Sequence, residues 1–164
     1  MLKVIFGVAV VAIATAFGYL FSKKYRQRRR FFTQFREFNE QFIHEITYYR
    51  RPIKEFLSCH TYDREFDMVL QKYEAILSNN AFKNRELFDL SEYSFLNENE
   101  KTDITDYFMT IGTGDSASQK CYFLSMRERL SKYESDAISQ GKKYENLYIE
   151  LGFLCGLFIL ILII

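Results

Sequence analysis

The chain has 164 residues, 48% hydrophobic and 26% charged, with 22 Lys and Arg against 21 Asp and Glu for a formal charge of +1. That length makes one modest domain, and the near-even balance excludes a uniformly basic nucleic-acid binder. One Pro and seven Gly exclude a disordered linker and a turn-rich β protein. The charge is segregated: residues 1–30 carry +7, residues 31–146 carry −5 and residues 147–164 carry −1. Cys59, Cys121 and Cys155 form neither a metal-ligand spacing nor a disulfide framework, and they fit a reducing compartment.

Val4 to Ser22 is 19 residues without a charge, about 28 Å of helix and close to the thickness of a bilayer's hydrocarbon core. Ala14-Thr15-Ala16 resembles a weak signal-peptidase site, but a signal peptide carries its positive charge first. Only Lys3 precedes this run, whereas Lys23, Lys24, Arg26, Arg28, Arg29 and Arg30 follow it. The segment therefore reads as a retained span. The same six residues set orientation, because basic flanks stay in the cytoplasm. They also suit a clamp for anionic lipid, a reading that topology and snorkelling do not require.

The middle of the chain reads as helices. Phe35, Phe38, Phe42, Ile46 and Tyr49 are spaced as one helical stripe, and Pro52 is expected to end that helix near Arg51. Phe66, Val69, Leu70, Tyr73, Ile76 and Leu77 make a second stripe that stops at Ser78-Asn79-Asn80. Residues 81–95 are ambiguous, with a short helix around Arg85 to Leu90 as the expectation. Asn97 and Glu100 form a capping box for a helix that carries Ile104, Tyr107, Phe108 and Ile111. Gly112-Thr113-Gly114-Asp115 breaks that helix, and Asp115 can cap the next. From Phe123 through Met126, Leu130, Tyr133, Ala137, Gln140, Tyr144 and Leu147 to Leu151 the spacing alternates 3 and 4, a heptad-like seam. Gly141 reads as a weak point in it, costing about 1 kcal/mol against Ala. No strand-like alternation or internal repeat is visible.

The last run, Leu151 to Ile164, is 14 residues of mostly Leu, Ile and Phe. At about 21 Å it is short for a span, yet it has no face that could sit in water, and bilayer thinning or packing on another helix can accommodate it. Gly152 and Gly156 form a GxxxG pattern, which lets helices approach closely in lipid. Their partner is either the small-residue face of the first segment or another subunit. The expected fold is all-α: N- and C-terminal transmembrane helices (1–22 and 151–164) flank a cytosolic antiparallel helical bundle (23–150). Two long continuous helices form its stalk, and residues 53–114 cap it.

Catalytic patterns are missing. There is no phosphate-binding Gly-rich loop with Lys, no HExxH, no GxSxG and no paired CxxC. Gly112-Thr113-Gly114 is a poor anion cradle, since Asp115 would repel a phosphate there. Cys59-His60 and His44 do not make a metal site, and the carboxylates are spaced as a solvated helix face. No enzyme activity, cofactor or metal is expected.

Phe108 to Asp115 (FMTIGTGD), Gln119, and the tail from Tyr144 (YENLYIELGFLCGLFILILII) resemble the ordered motifs of the stage III sporulation protein AB family. So does the stretch Glu45-Ile-Thr-Tyr-Tyr-Arg-Arg-Pro-Ile-Lys-Glu-Phe. The chain departs from the family pattern at 79–95, where it has no Trp and is abbreviated. The resemblance implies a non-enzymatic membrane component of the channel apparatus between mother cell and forespore, similar to the platform protein F of type II secretion systems. It implies a cytosolic secretion-type ATPase of the same operon and other membrane subunits as partners, the lipid bilayer as its setting, and no nucleic acid. Gly112, Asp115, Gln119, Gly152 and Gly156 are the positions that match the family motifs, with Gly114 beside them in the turn. The rival reading is a stand-alone membrane-anchored helical scaffold or signalling protein.

Overall fold

A computed structural model describes residues 2–49, 51–78, 87–113 and 115–163. Among these residues every regular element is helical. The elements are α1 (Leu2–His44), a π-helical turn (Glu45–Tyr49), α2 (Ile53–Ser58), α3 (Arg64–Ser78), α4 (Glu98–Thr110) and α5 (Ser116–Ile163). Contacts divide the chain into two compact units. The first joins Met1–Arg29 to Asp136–Ile164, and the second is Arg30–Ser135. Both long helices contribute to each unit.

Local chemistry sets the boundaries. The first helical run is described to Tyr49, close to the end expected near Arg51, and its last turn is a π-turn. Beyond it Pro52 has no N–H to donate, and its carbonyl accepts from Glu55 and Phe56 at 3.0 and 3.2 Å to start α2. α3 stops at Ser78. Asn97 accepts from the Glu100 N–H at 2.8 Å while Glu100 accepts from the Asn97 N–H at 2.9 Å, a closed capping box. The helix expected around Arg85 to Leu90 lies partly outside the described residues, and the described stretch 88–96 is built of turns and loop.

The second unit has an aromatic core. Phe31, Phe32, Phe35 and Phe38 of α1, Phe56 of α2, Phe66 and Tyr73 of α3, Tyr107 and Phe108 of α4 and Phe123 of α5 are almost completely buried. Rings meet edge-on at short range, Phe35 on Tyr107 at 4.8 Å and Phe42 and Tyr107 on Phe123 at 4.9 Å. Residues 30–49 and 116–135 belong to this core together with α2, α3 and α4, so the segment 53–114 is not a cap laid on a separate stalk. The two long helices run antiparallel here: Arg36 pairs with Glu134 at 2.5 Å, and Glu40 pairs with Arg127.

In the first unit the heptad-like seam on α5 needs correction. Leu147 and Leu151 are 41% and 47% exposed, while Ala137, Gly141 and Gly156 are buried. A straight helix turns every 3.6 residues, so a contact face drifts by about 20° per heptad from a strict 3.5 spacing. The packed face therefore passes from Ala137 to Gly141 and on to Gly152 and Gly156. Gly141 is not a defect in this setting. A Cβ there would stand 3.0 Å from the Glu145 carboxylate and 3.5 Å from the Arg29 guanidinium, so its small size makes room for that ion pair.

Candidate functional site

The residues singled out from sequence fall in three places. The first is the helix pair of the first unit. A Cβ on Gly152 would lie 2.7 Å from the Ala14 carbonyl oxygen, and one on Gly156 would lie 2.8 Å from the Val11 Cα. A Cβ on Gly18 would collide with the Tyr148 carbonyl oxygen. Backbone thus meets backbone, with Gly152 and Gly156 of α5 set against Val11, Ala14 and Gly18 of α1. These contacts are made within one chain. Close approach of this kind multiplies dispersion contacts and is the usual way helices pair where burying apolar area brings no gain. Tyr25 stacks on Tyr144 at 5.2 Å and on Tyr148 at 5.8 Å beyond the glycines.

Around this pair the surface is apolar. Phe17, Leu20, Phe21, Leu154, Phe158 and Ile161 are each more than half exposed. One helix among the described residues is long and apolar enough to cross a membrane: Ala117–Ile161, with mean hydropathy 1.5 in its most apolar window and 6% of that window buried. Part of the N-terminal run, 2–6 and 8, lies outside the residues whose side chains are described.

The second place is the basic run, which the structure divides. Arg28 donates to the Gln140 side chain at 2.7 Å, and Arg29 faces Glu145 at 3.3 Å, so both tie α1 to α5. Arg26 turns back along α1, donating to the Tyr19 hydroxyl at 3.3 Å with its guanidinium 5.2 Å from that ring. Lys23, Lys24 and Arg30 are exposed.

The third place is the turn between α4 and α5. Gly112 has φ +79°, a conformation that side chains disfavour. Asp115 accepts from the N–H groups of Ala117 and Ser118 at 3.1 and 3.2 Å. The hydrogen bonds from Ser118 hold its carboxyl below the usual range. Gln119 donates from its amide to the Thr113 carbonyl at 2.9 Å and closes the turn. Gly114 lies outside the described residues. These groups satisfy one another and present no convergent reactive set.

Sequence reasoning missed two polar nodes. Asn39 is fully buried, donates to the Phe123 carbonyl at 3.2 Å and accepts from the Tyr107 hydroxyl at 3.0 Å. It links α1, α4 and α5. Burial raises the Tyr107 phenol well above its ordinary pKa, so it stays a donor. An Asn on the otherwise apolar stripe beside Phe35, Phe38 and Phe42 was the available signal. Glu45 is also buried and accepts two bonds from the Arg51 guanidinium, at 2.6 and 3.0 Å, and one from its backbone N–H at 3.1 Å. Those bonds lower its pKa. His60 packs on Phe56 at 5.2 Å, and no cluster of three or more His, Cys, Asp or Glu suited to a metal occurs among the described residues.

Taken together, these features define an all-helical protein with an aromatic-cored unit and a glycine-paired, apolar-surfaced helix hairpin. The chain belongs to the stage III sporulation protein AB family, whose model matches residues 3–164. The likeness first carried by the FMTIGTGD turn and the glycine-bearing tail thus extends over essentially the whole chain, and membership gives the protein a role in sporulation. No curated protein and no solved structure matches it.

Proposed function

We propose that the protein is a membrane platform of a sporulation channel resembling a type II secretion system, between mother cell and forespore. It crosses the mother-cell membrane around the forespore twice, near 1–22 and 151–164. It holds residues 23–150 in the cytoplasm, where they dock a secretion-type ATPase of the same operon beside other membrane subunits. It has no catalysis of its own; ATP chemistry belongs to the partner. The observation that carries this reading is the exposed apolar surface of the terminal helix pair. Such a surface has no stable place in water and suits lipid, and the basic residues that follow the first apolar run favour the cytoplasm.

Two experiments test the reading. A reporter active only in the cytoplasm, inserted at Asn97, is expected to work; activity from a periplasm-only reporter there reverses the topology. Full-length protein in detergent is expected to retain the operon's ATPase in a pull-down. No retention, alone or with the other subunits present, removes the docking role and leaves a membrane-anchored scaffold.

A further inference from the structure

One flank of the terminal hairpin carries a groove of 780 Å³. Ala12, Ala16 and Tyr19 of α1 and Phe153, Leu157 and Leu160 of α5 line it. The Thr15 hydroxyl in its lining already donates to the Val11 carbonyl at 2.8 Å, so the groove asks no polar group of its occupant. Its volume falls in the range of small-ligand sites, about 300–1,000 Å³.

The charge beside the groove selects the occupant. Ala12, Ala16, Tyr19, Lys23 and Arg26 follow one another at spacings of 4, 3, 4 and 3, so they share a face of α1. The groove therefore runs toward Lys23, which is exposed, and Arg26, which rests on Tyr19. Arg28 and Arg29 point instead to Gln140 and Glu145. No acidic residue occurs in 1–36. On the α5 side two acids bear on an anion: Glu145, which faces Arg29, and Glu150, exposed and three residues before Phe153.

We infer that the groove binds one anionic phospholipid of the leaflet on the basic side. An acyl chain lies along Ala12 and Ala16, and the phosphate sits against Lys23 and Arg26. This site rests on the membrane reading given above and adds to it a defined ligand.

Purified full-length protein in detergent, titrated with phosphatidylglycerol or with phosphatidylcholine of the same chains, tests the site by native mass spectrometry. Two cations near the headgroup predict about 30-fold tighter binding of phosphatidylglycerol. Lys23→Gln with Arg26→Gln is expected to abolish that preference, Ala16→Phe to weaken both lipids by filling the groove, and Glu150→Gln to strengthen phosphatidylglycerol. Equal binding of the two lipids by the unaltered protein overturns the inference, and needs no variant to fold. So does an unchanged preference in the double variant, or a groove-filling change that instead disrupts pairing of two copies of the chain. Alkaline carbonate extraction of membranes separates the causes. Protein that resists extraction but shows no lipid preference fails only this inference. Protein that is extracted fails the membrane reading and the site with it.

Discussion

The two units are held together in opposite ways. Arg30–Ser135 depends on volume, with bulky rings from five helices filling one core. The pair formed by Met1–Arg29 and Asp136–Ile164 depends on the lack of volume, with glycines against backbone and the large side chains turned outward. In water, apolar area removed from solvent drives packing. In the lipid setting proposed for the first unit, a leucine gains little by leaving the tails, so close backbone contact decides. The first unit should therefore fail when atoms are added, and the second when atoms are removed.

The largest effect is expected from Phe38→Ala. That ring meets Phe42, Phe56, Tyr62, Phe66, Tyr107 and Phe108, and its loss should cost about 3–5 kcal/mol in denaturation of the full chain. Asn39→Leu should cost about 2–3 kcal/mol, because it leaves the Tyr107 hydroxyl and the Phe123 carbonyl without their partner. A cost below that of Tyr107→Phe would show that the node contributes little. Gly152→Leu should cost about 1–3 kcal/mol of helix pairing through overpacking. Spin labels at Lys24 and Lys143 should then report a longer and broader distance, with the second unit's helicity unchanged.

Acid should act on the second unit through Glu45. Its folded pKa lies below the ordinary 4.5 because of Arg51. The stability it contributes is therefore present above the unfolded value and is lost as pH falls through the folded one. Unfolding measured from pH 5 downward should show this limb flattened in Glu45→Gln. The smallest effect is expected from Leu154→Ala. This side chain is 59% exposed on the hairpin, and its truncation should leave denaturation and label distances almost unchanged. A large loss there would contradict the division between the units.

Much of the helical layout was legible in the residues. Pro52 marks a boundary because it lacks an N–H, Asn97 and Glu100 because their side chains reach the free N–H groups of a first turn, and the phenylalanine stripe because i, i+3 and i+4 share a face. The π-turn at Glu45–Tyr49 was not legible in the spacing of the stripe, and neither was the pairing of its first residue, Glu45, with Arg51. In the candidate site, the basic run read as six equivalent charges, and its division between Gln140, Glu145 and Tyr19 depends on what lies across the helix pair.

Local pattern settled the helical class, the apolar ends, the charge asymmetry and the family, because these follow from residue type and short spacing along a single element. Folding settled which face of α5 packs, why Gly141 is tolerated and what Asn39 holds. Each of these depends on a second helix brought close in space, and a heptad written along the chain does not record the drift of a 3.6-residue turn.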